Sequence, residues 1–184
     1  MDVCLQNLQA MPAQSVGVET RSRASFSPGA LLRRSIADPR RVDLAPFGEF
    51  RAGILRHIAM EEKFLFVAAR AARGGRPLDL AARLRVDHGA IAALLVPTPT
   101  PAIVDALLSV LVPHNRREEE AGGVYDGCDE ALGPAEAARL AEELQAFPEP
   151  PLKPYNDGPE VTKHIEENLA LARGQWAAGD SPGD

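Results

Sequence analysis

Three stretches of this chain carry apolar residues at helical spacing, and each puts ionisable side chains where that spacing puts the interior. Apolar residues recurring with a period near 3.6 over more than ten residues demand helix and rule out strand. The first stretch runs from about Ala45 to Arg73, with Pro46 suited to an opening turn and Gly74-Gly75 to a stop. Its inward stripe is Phe50, Ile54, His57, Glu61, Phe64 or Leu65, and Ala68. A second, from about Pro77 to Val96, is stopped by Pro97 and Pro99 and has the stripe Leu80, Leu84, His88, Ile91 and Leu95. The third opens with Thr100 as N-cap and Pro101 behind it. Its stripe of Ile103, Leu107, Leu111, His114, Glu118, Ala121 and Tyr125 carries it to about residue 125, with a kink expected at Pro113.

The rest of the chain fits around these three. A shorter helix over about Pro28 to Ala37 supplies a fourth wall, Pro134 begins another to about Phe147, and a proline-rich connector leads to a last one over about Glu160 to Arg173. Residues 1–24 read as a flexible N-terminal arm and 174–184 as a flexible tail, leaving a helical bundle over 25–133 and a C-terminal helical extension over 134–173. The 16 prolines and 15 glycines belong at helix boundaries, and no segment alternates long enough for a strand, so the expected class is all-α.

Charge and composition exclude several functions. A net charge of −6 with scattered arginines argues against nucleic acid or an anionic membrane surface as partner. No run reaches the roughly 20 apolar residues a membrane span needs, and the first ten residues lack the basic and apolar regions of a signal peptide. Cys4 and Cys128 lie far apart and read as free thiols of a reducing, cytoplasmic protein.

The ionisable residues of the three stripes carry the chemistry. A buried glutamate is costly unless it is paired or bound to metal. In His57-Ile-Ala-Met-Glu61 and His114-Asn-Arg-Arg-Glu118 the two polar side chains sit one turn apart on one face, able to reach a common point. His88 adds an imidazole from the helix between. A cation would turn this set of His57, Glu61, His88, His114 and Glu118 into ligands, and mixed imidazole and carboxylate donors suit iron or manganese, with zinc also admitted. Asp87, Glu62, Glu119 and Glu120 read as solvent-facing, although Asp87 has an alternative role orienting a ligand. Tyr125, two turns after Glu118, either packs or hydrogen-bonds a bound ligand, and His164 reads as a surface residue.

The segments LRHIAMEEKFLF (Leu55 to Phe66), RVDHGAI (Arg85 to Ile91) and PHNRREEEAGGVYD (Pro113 to Asp126) resemble the helix signatures of hemerythrin-like, HHE cation-binding domains. The resemblance covers about Leu31 to Leu132 and implies an up-down-up-down four-helix bundle, here with additional C-terminal helices, around a non-haem diiron centre. It further implies that Glu61 and Glu118 bridge two irons, with His57, His88 and His114 as terminal ligands. The chain departs from the pattern in two places. Where the family's first helix supplies a histidine, rough alignment puts Ser25, and His88 has Ala92 rather than a ligand one turn on. An incomplete site follows, firm at His88 and His114 and weaker at His57, binding one or two iron ions.

The expected function is therefore binding of, or reaction with, O2, NO or peroxide, in sensing, detoxification or iron handling, with any protein partner unknown. The alternative is a metal-depleted bundle serving as a protein-interaction or structural module. A hydrolytic zinc enzyme is disfavoured, because its helical signature places a glutamate directly after the first of two histidines four apart, and that arrangement does not occur here.

Overall fold

The computed structural model describes residues 28–179, and for 28 and 175–179 the backbone alone. Ser25, Cys4, the arm and the last five residues lie outside the described residues. What is described is helical throughout, with no strand. Helix α1 (Pro28–Ser35) packs on α2 (Leu44–Met60), which Asp43 caps by accepting a hydrogen bond from the Ala45 N–H at 3.0 Å. Without a break the chain passes into a π-helical turn (Glu61–Leu65), where Phe66 N–H reaches back five residues to Glu61 O, and on into α3 (Phe66–Ala72). Gly74 and Gly75, at φ of 66° and 90°, end this long helix as their sequence positions predict.

Helix α4 (Ala81–Leu94) packs on α5 (Pro101–Glu119), and Thr100 caps α5 through the Ile103 N–H at 3.3 Å. Here one expectation fails. The third helix does not continue to Tyr125: it stops at Glu119, turns through Gly122 at φ 80°, and a new helix α6 (Val124–Ala146) begins after Gly123. A Cβ on Gly123 would lie 2.7 Å from the carbonyl oxygens of Arg117, Glu118 and Glu120, so only glycine lets the chain turn back so closely over the end of α5. Helix α6 is itself broken at Gly133 (φ 68°), with Pro134 opening its second half. Helix α7 (Pro159–Gly179) packs on α4 and runs past the expected end at Arg173.

Two apolar cores result. One gathers Phe47, Phe50, Ile54, Ile91, Leu94, Leu107 and Leu111, with Ala172 of α7; the other gathers Leu65, Phe66, Leu78, Leu84, Val124, Cys128, Leu140 and Leu144. Each fully buried leucine, isoleucine or phenylalanine contributes about 1.5–3 kcal/mol. Arginines tie the connector to this body. Arg56 donates to the carbonyls of Phe147 (2.8 Å) and Leu144 (3.0 Å) at the end of α6, and buried Arg51 donates to Lys153 O (2.9 Å) while lying over the Tyr155 ring.

The stripes of the first long helix and of α4 cross from one core to the other, that of α5 runs out of the first core, and the ionisable residues fall where they leave it. Along the first long helix the stripe passes Ile54, then His57 and Glu61, then Leu65; along α4, Leu84, then His88, then Ile91; along α5, Leu111, then His114 and Glu118. Polar groups thus occupy a layer with apolar packing above and below.

Candidate metal centre

All five sequence-derived residues meet in that layer. Glu61, His88, His114 and Glu118 are buried, and one donor atom from each lies within 4.8 Å of the others, a group that can hold a metal ion. His57 joins them with its side chain 16% exposed. The glutamate oxygens divide between the histidines. Glu61 turns Oε2 to His88 Nε2 (3.1 Å) and Oε1 to His57 Nε2 (3.6 Å). Glu118 turns Oε1 to His114 Nε2 (2.8 Å) and Oε2 to His57 Nε2 (3.9 Å). Two carboxylates therefore span two donor sets, one around His88 and His114 and one around His57.

These approaches are close ion-pair contacts whose geometry is poor for hydrogen bonds. The Nε2 atoms of His57, His88 and His114, with Glu61 Oε2 and Glu118 Oε1, are buried without a hydrogen-bond partner, although nitrogen and oxygen lie close. Buried polar atoms are rarely left so. Metal–ligand bonds of roughly 2.0–2.2 Å around one ion imply neighbouring donors about 2.9–3.4 Å apart. The 3.1 and 2.8 Å separations at His88 and His114 are close to that range, whereas those at His57 are wider. The donors present thus could hold a cation.

Electrostatics tell what the protein does without one. Burial pushes His57 and His114 down, but the facing glutamates outweigh it and raise them to about 9 and about 10. His88 is also raised, against burial, by Glu61 and Glu62. Glu118, despite burial, is held well below the usual carboxylate range by His114 and His57. Near neutral pH protonated imidazoles therefore balance the buried carboxylates, and a metal ion must displace those protons.

Three further residues belong to the centre. Asp87, read as solvent-facing, is completely buried, 3.5 Å from His114 Nδ1 and 3.1 Å from Arg117 Nη1. Its spacing from Leu84 and Ile91, three and four residues, was the available signal. Glu62, also read as solvent-facing, is only 27% exposed; its Oε1 lies 2.9 Å from His88 Nδ1 and its Oε2 accepts from Arg85 Nε at 2.9 Å. No 3.6-residue count shows this, because the π turn brings consecutive glutamates to the two nitrogens of one ring. Tyr125 arrives from α6 and donates its O–H to Glu61 Oε1 at 2.8 Å, with burial and the nearby glutamates raising it well above the usual phenol value. Glu120 is exposed as expected, Glu119 is half-buried, and His164 lies exposed on α7 beside Asn168.

Phe66 stacks on His88 with the rings 6.2 Å apart, and the His88 and His114 rings meet edge to face at 4.9 Å. Among the described residues no helix is long and apolar enough to cross a membrane. Comparison of the chain with protein-family models, with curated proteins and with solved structures finds no match.

Proposed function

We propose that the chain is a hemerythrin-like, non-haem iron protein that binds or reacts with O2, NO or peroxide at a carboxylate-bridged and incomplete diiron site. One observation carries the reading: five buried donor atoms on three helices converge without hydrogen-bond partners, in the residue types and order of the family's signatures. An up-down-up-down bundle belongs to the same proposal. The order of the two cores along the first long helix and along α4, which reverses from one to the next, supports it.

Iron held there would supply a Lewis-acidic, redox-capable position for a small oxygen- or nitrogen-containing ligand. Glu61 and Glu118 would contribute an oxygen to each half, His88 and His114 would complete one half, and His57 the other. The apolar cores enclose the layer on both sides, and His57 is the most exposed of its three histidines. Tyr125 holds Glu61 Oε1, the oxygen that faces His57. The buried free thiol of Cys128 suits a reducing, cytoplasmic setting.

The test is iron per chain after anaerobic Fe(II) loading and desalting, beside a His88→Ala/His114→Ala control. A ratio near one or two that the control abolishes supports the reading, and O2 and NO titrations follow. A ratio near zero in both refutes it and leaves a proton-neutralised helical interaction or structural module.

A further inference from the structure

The three histidines are not held alike. On its outer nitrogen His88 faces Glu62 at 2.9 Å, and Glu62 is gripped by Arg85 at 2.9 Å; His114 faces Asp87 at 3.5 Å, and Asp87 is gripped by Arg117 at 3.1 Å. The His88 ring thus sits in a chain of arginine, carboxylate and imidazole whose inner end, Nε2, points at Glu61, whereas His114 Nδ1 lies near Asp87 without a hydrogen-bond partner. His57 has no counterpart: among the described residues its ion-pair contacts, to Glu61 and Glu118, are made through Nε2 alone, and its side chain is the most exposed of the three. A carboxylate on the outer nitrogen fixes the tautomer, aims the ring and raises its strength as a ligand.

We propose that Glu62 is a positioning residue that makes the His88/His114 half the resident cation position, leaving the His57 half as an exchangeable one. This rests on the reading of the layer as a cation site and adds what makes the His88/His114 half keep its metal. The two oxygens of Glu62 have separate partners. Oε2 accepts from Arg85 Nε and Oε1 faces His88 Nδ1, so Nδ1 must carry a proton, and in the neutral ring Nε2 is then the lone-pair donor.

The Glu62→Gln variant keeps the shape and inverts the outcome. Arg85 can only donate, so it retains the carbonyl oxygen of the new amide and turns the NH2 towards His88. An NH2 facing Nδ1 demands a lone pair there, which moves the ring proton to Nε2 and blocks that atom as a ligand. Removing Arg85 as well frees the amide to rotate and present its oxygen to Nδ1–H. The Glu62–Arg85 pair is partly exposed, at 27% and 47%, so both variants should fold.

Anaerobic Fe(II) affinity is measured by competition with a chromophoric chelator for the wild type, Glu62→Gln and Glu62→Gln/Arg85→Met. The His88 ring tautomer is read by nitrogen-15 NMR of the Zn(II)-loaded proteins. The tight Fe(II) site should weaken roughly 10–100-fold in Glu62→Gln, as loss of such outer partners does elsewhere, and recover substantially in the double variant. His88 should hold its proton on Nδ1 in the wild type and lose that state in the single variant. Arg51→Met, which removes the tie to Lys153 and Tyr155 and touches no histidine of the layer, should lower the melting temperature without moving the affinity. A wild type that binds no Fe(II) overturns this proposal together with the cation reading. Tight wild-type binding that Glu62→Gln leaves unchanged, or a double variant no better than the single, overturns the proposal alone.

Discussion

Replacing Glu118 with alanine removes a carboxylate whose oxygens face different histidines, His114 at 2.8 Å and His57 at 3.9 Å. In the cation-free protein at pH 7 both rings are protonated, at about 10 and about 9, because Glu118 and Glu61 outweigh the burial that pushes them down. Without Glu118, fully buried His114 keeps Asp87, 3.5 Å away on its other nitrogen, and the more distant charge of Glu61. Removing one partner of a buried pair costs about 3–5 kcal/mol, because the other charge is stranded. His114 can escape by releasing its proton, which holds the expected loss near the lower end, about 3 kcal/mol at pH 7. The same substitution takes one oxygen from each half of the metal centre, so bound iron should fall to a small fraction of the wild-type ratio. Urea denaturation of the cation-free protein gives the first quantity and elemental analysis after anaerobic Fe(II) loading the second. Iron content equal to wild type would refute the bridging assignment. A stability loss below about 1 kcal/mol, the level of an exposed pair, would refute the buried-pair argument.

Tyr125→Phe deletes the O–H held by Glu61 Oε1, and a hydrogen bond to a charged group contributes about 1.5–3 kcal/mol, so a urea midpoint unchanged from wild type would contradict that bond. Gly123→Ala puts a Cβ 2.7 Å from three backbone carbonyl oxygens; the start of α6 must move, with a loss of roughly 1–3 kcal/mol and a weaker Tyr125–Glu61 bond. Stability equal to wild type would show that the turn relaxes freely. The pH dependence has a definite sign. Folding raises His57 and His114 above their ordinary 6.5, so their stabilisation of the cation-free protein is complete below about 6.5 and is lost as pH rises through about 9 and 10. The cation-free protein should therefore have a higher urea midpoint at pH 6.5 than at pH 10. Fe(II) uptake at pH 7 should release protons to a weakly buffered indicator, and uptake without proton release would contradict protonated histidines.

Much of this protein was legible before any coordinates. The long helices, the N-cap at Thr100 and the stops at Gly74-Gly75 are local matters of period and capping, and they lie where the sequence puts them. The metal-ligand candidates were also legible, because residues four apart on one helix share a face whatever the helix packs against. The end of α5 was misread because Ala121 and Tyr125 continue its apolar period. The Gly122-Gly123 pair between them is the actual stop, and the period persists only because α6 returns Tyr125 to the same layer.

The sequence by itself determined helices and an ionisable layer across three of them, since both follow from spacing along one chain. Only the tertiary structure decided how that layer is divided. The π turn gives His88 two consecutive glutamates, Asp87 reaches across from α4 to His114 on α5, and α6 brings Tyr125 to Glu61. Those contacts join residues 26, 27 and 64 positions apart, and no local period encodes which partner a buried charge meets across a helix interface.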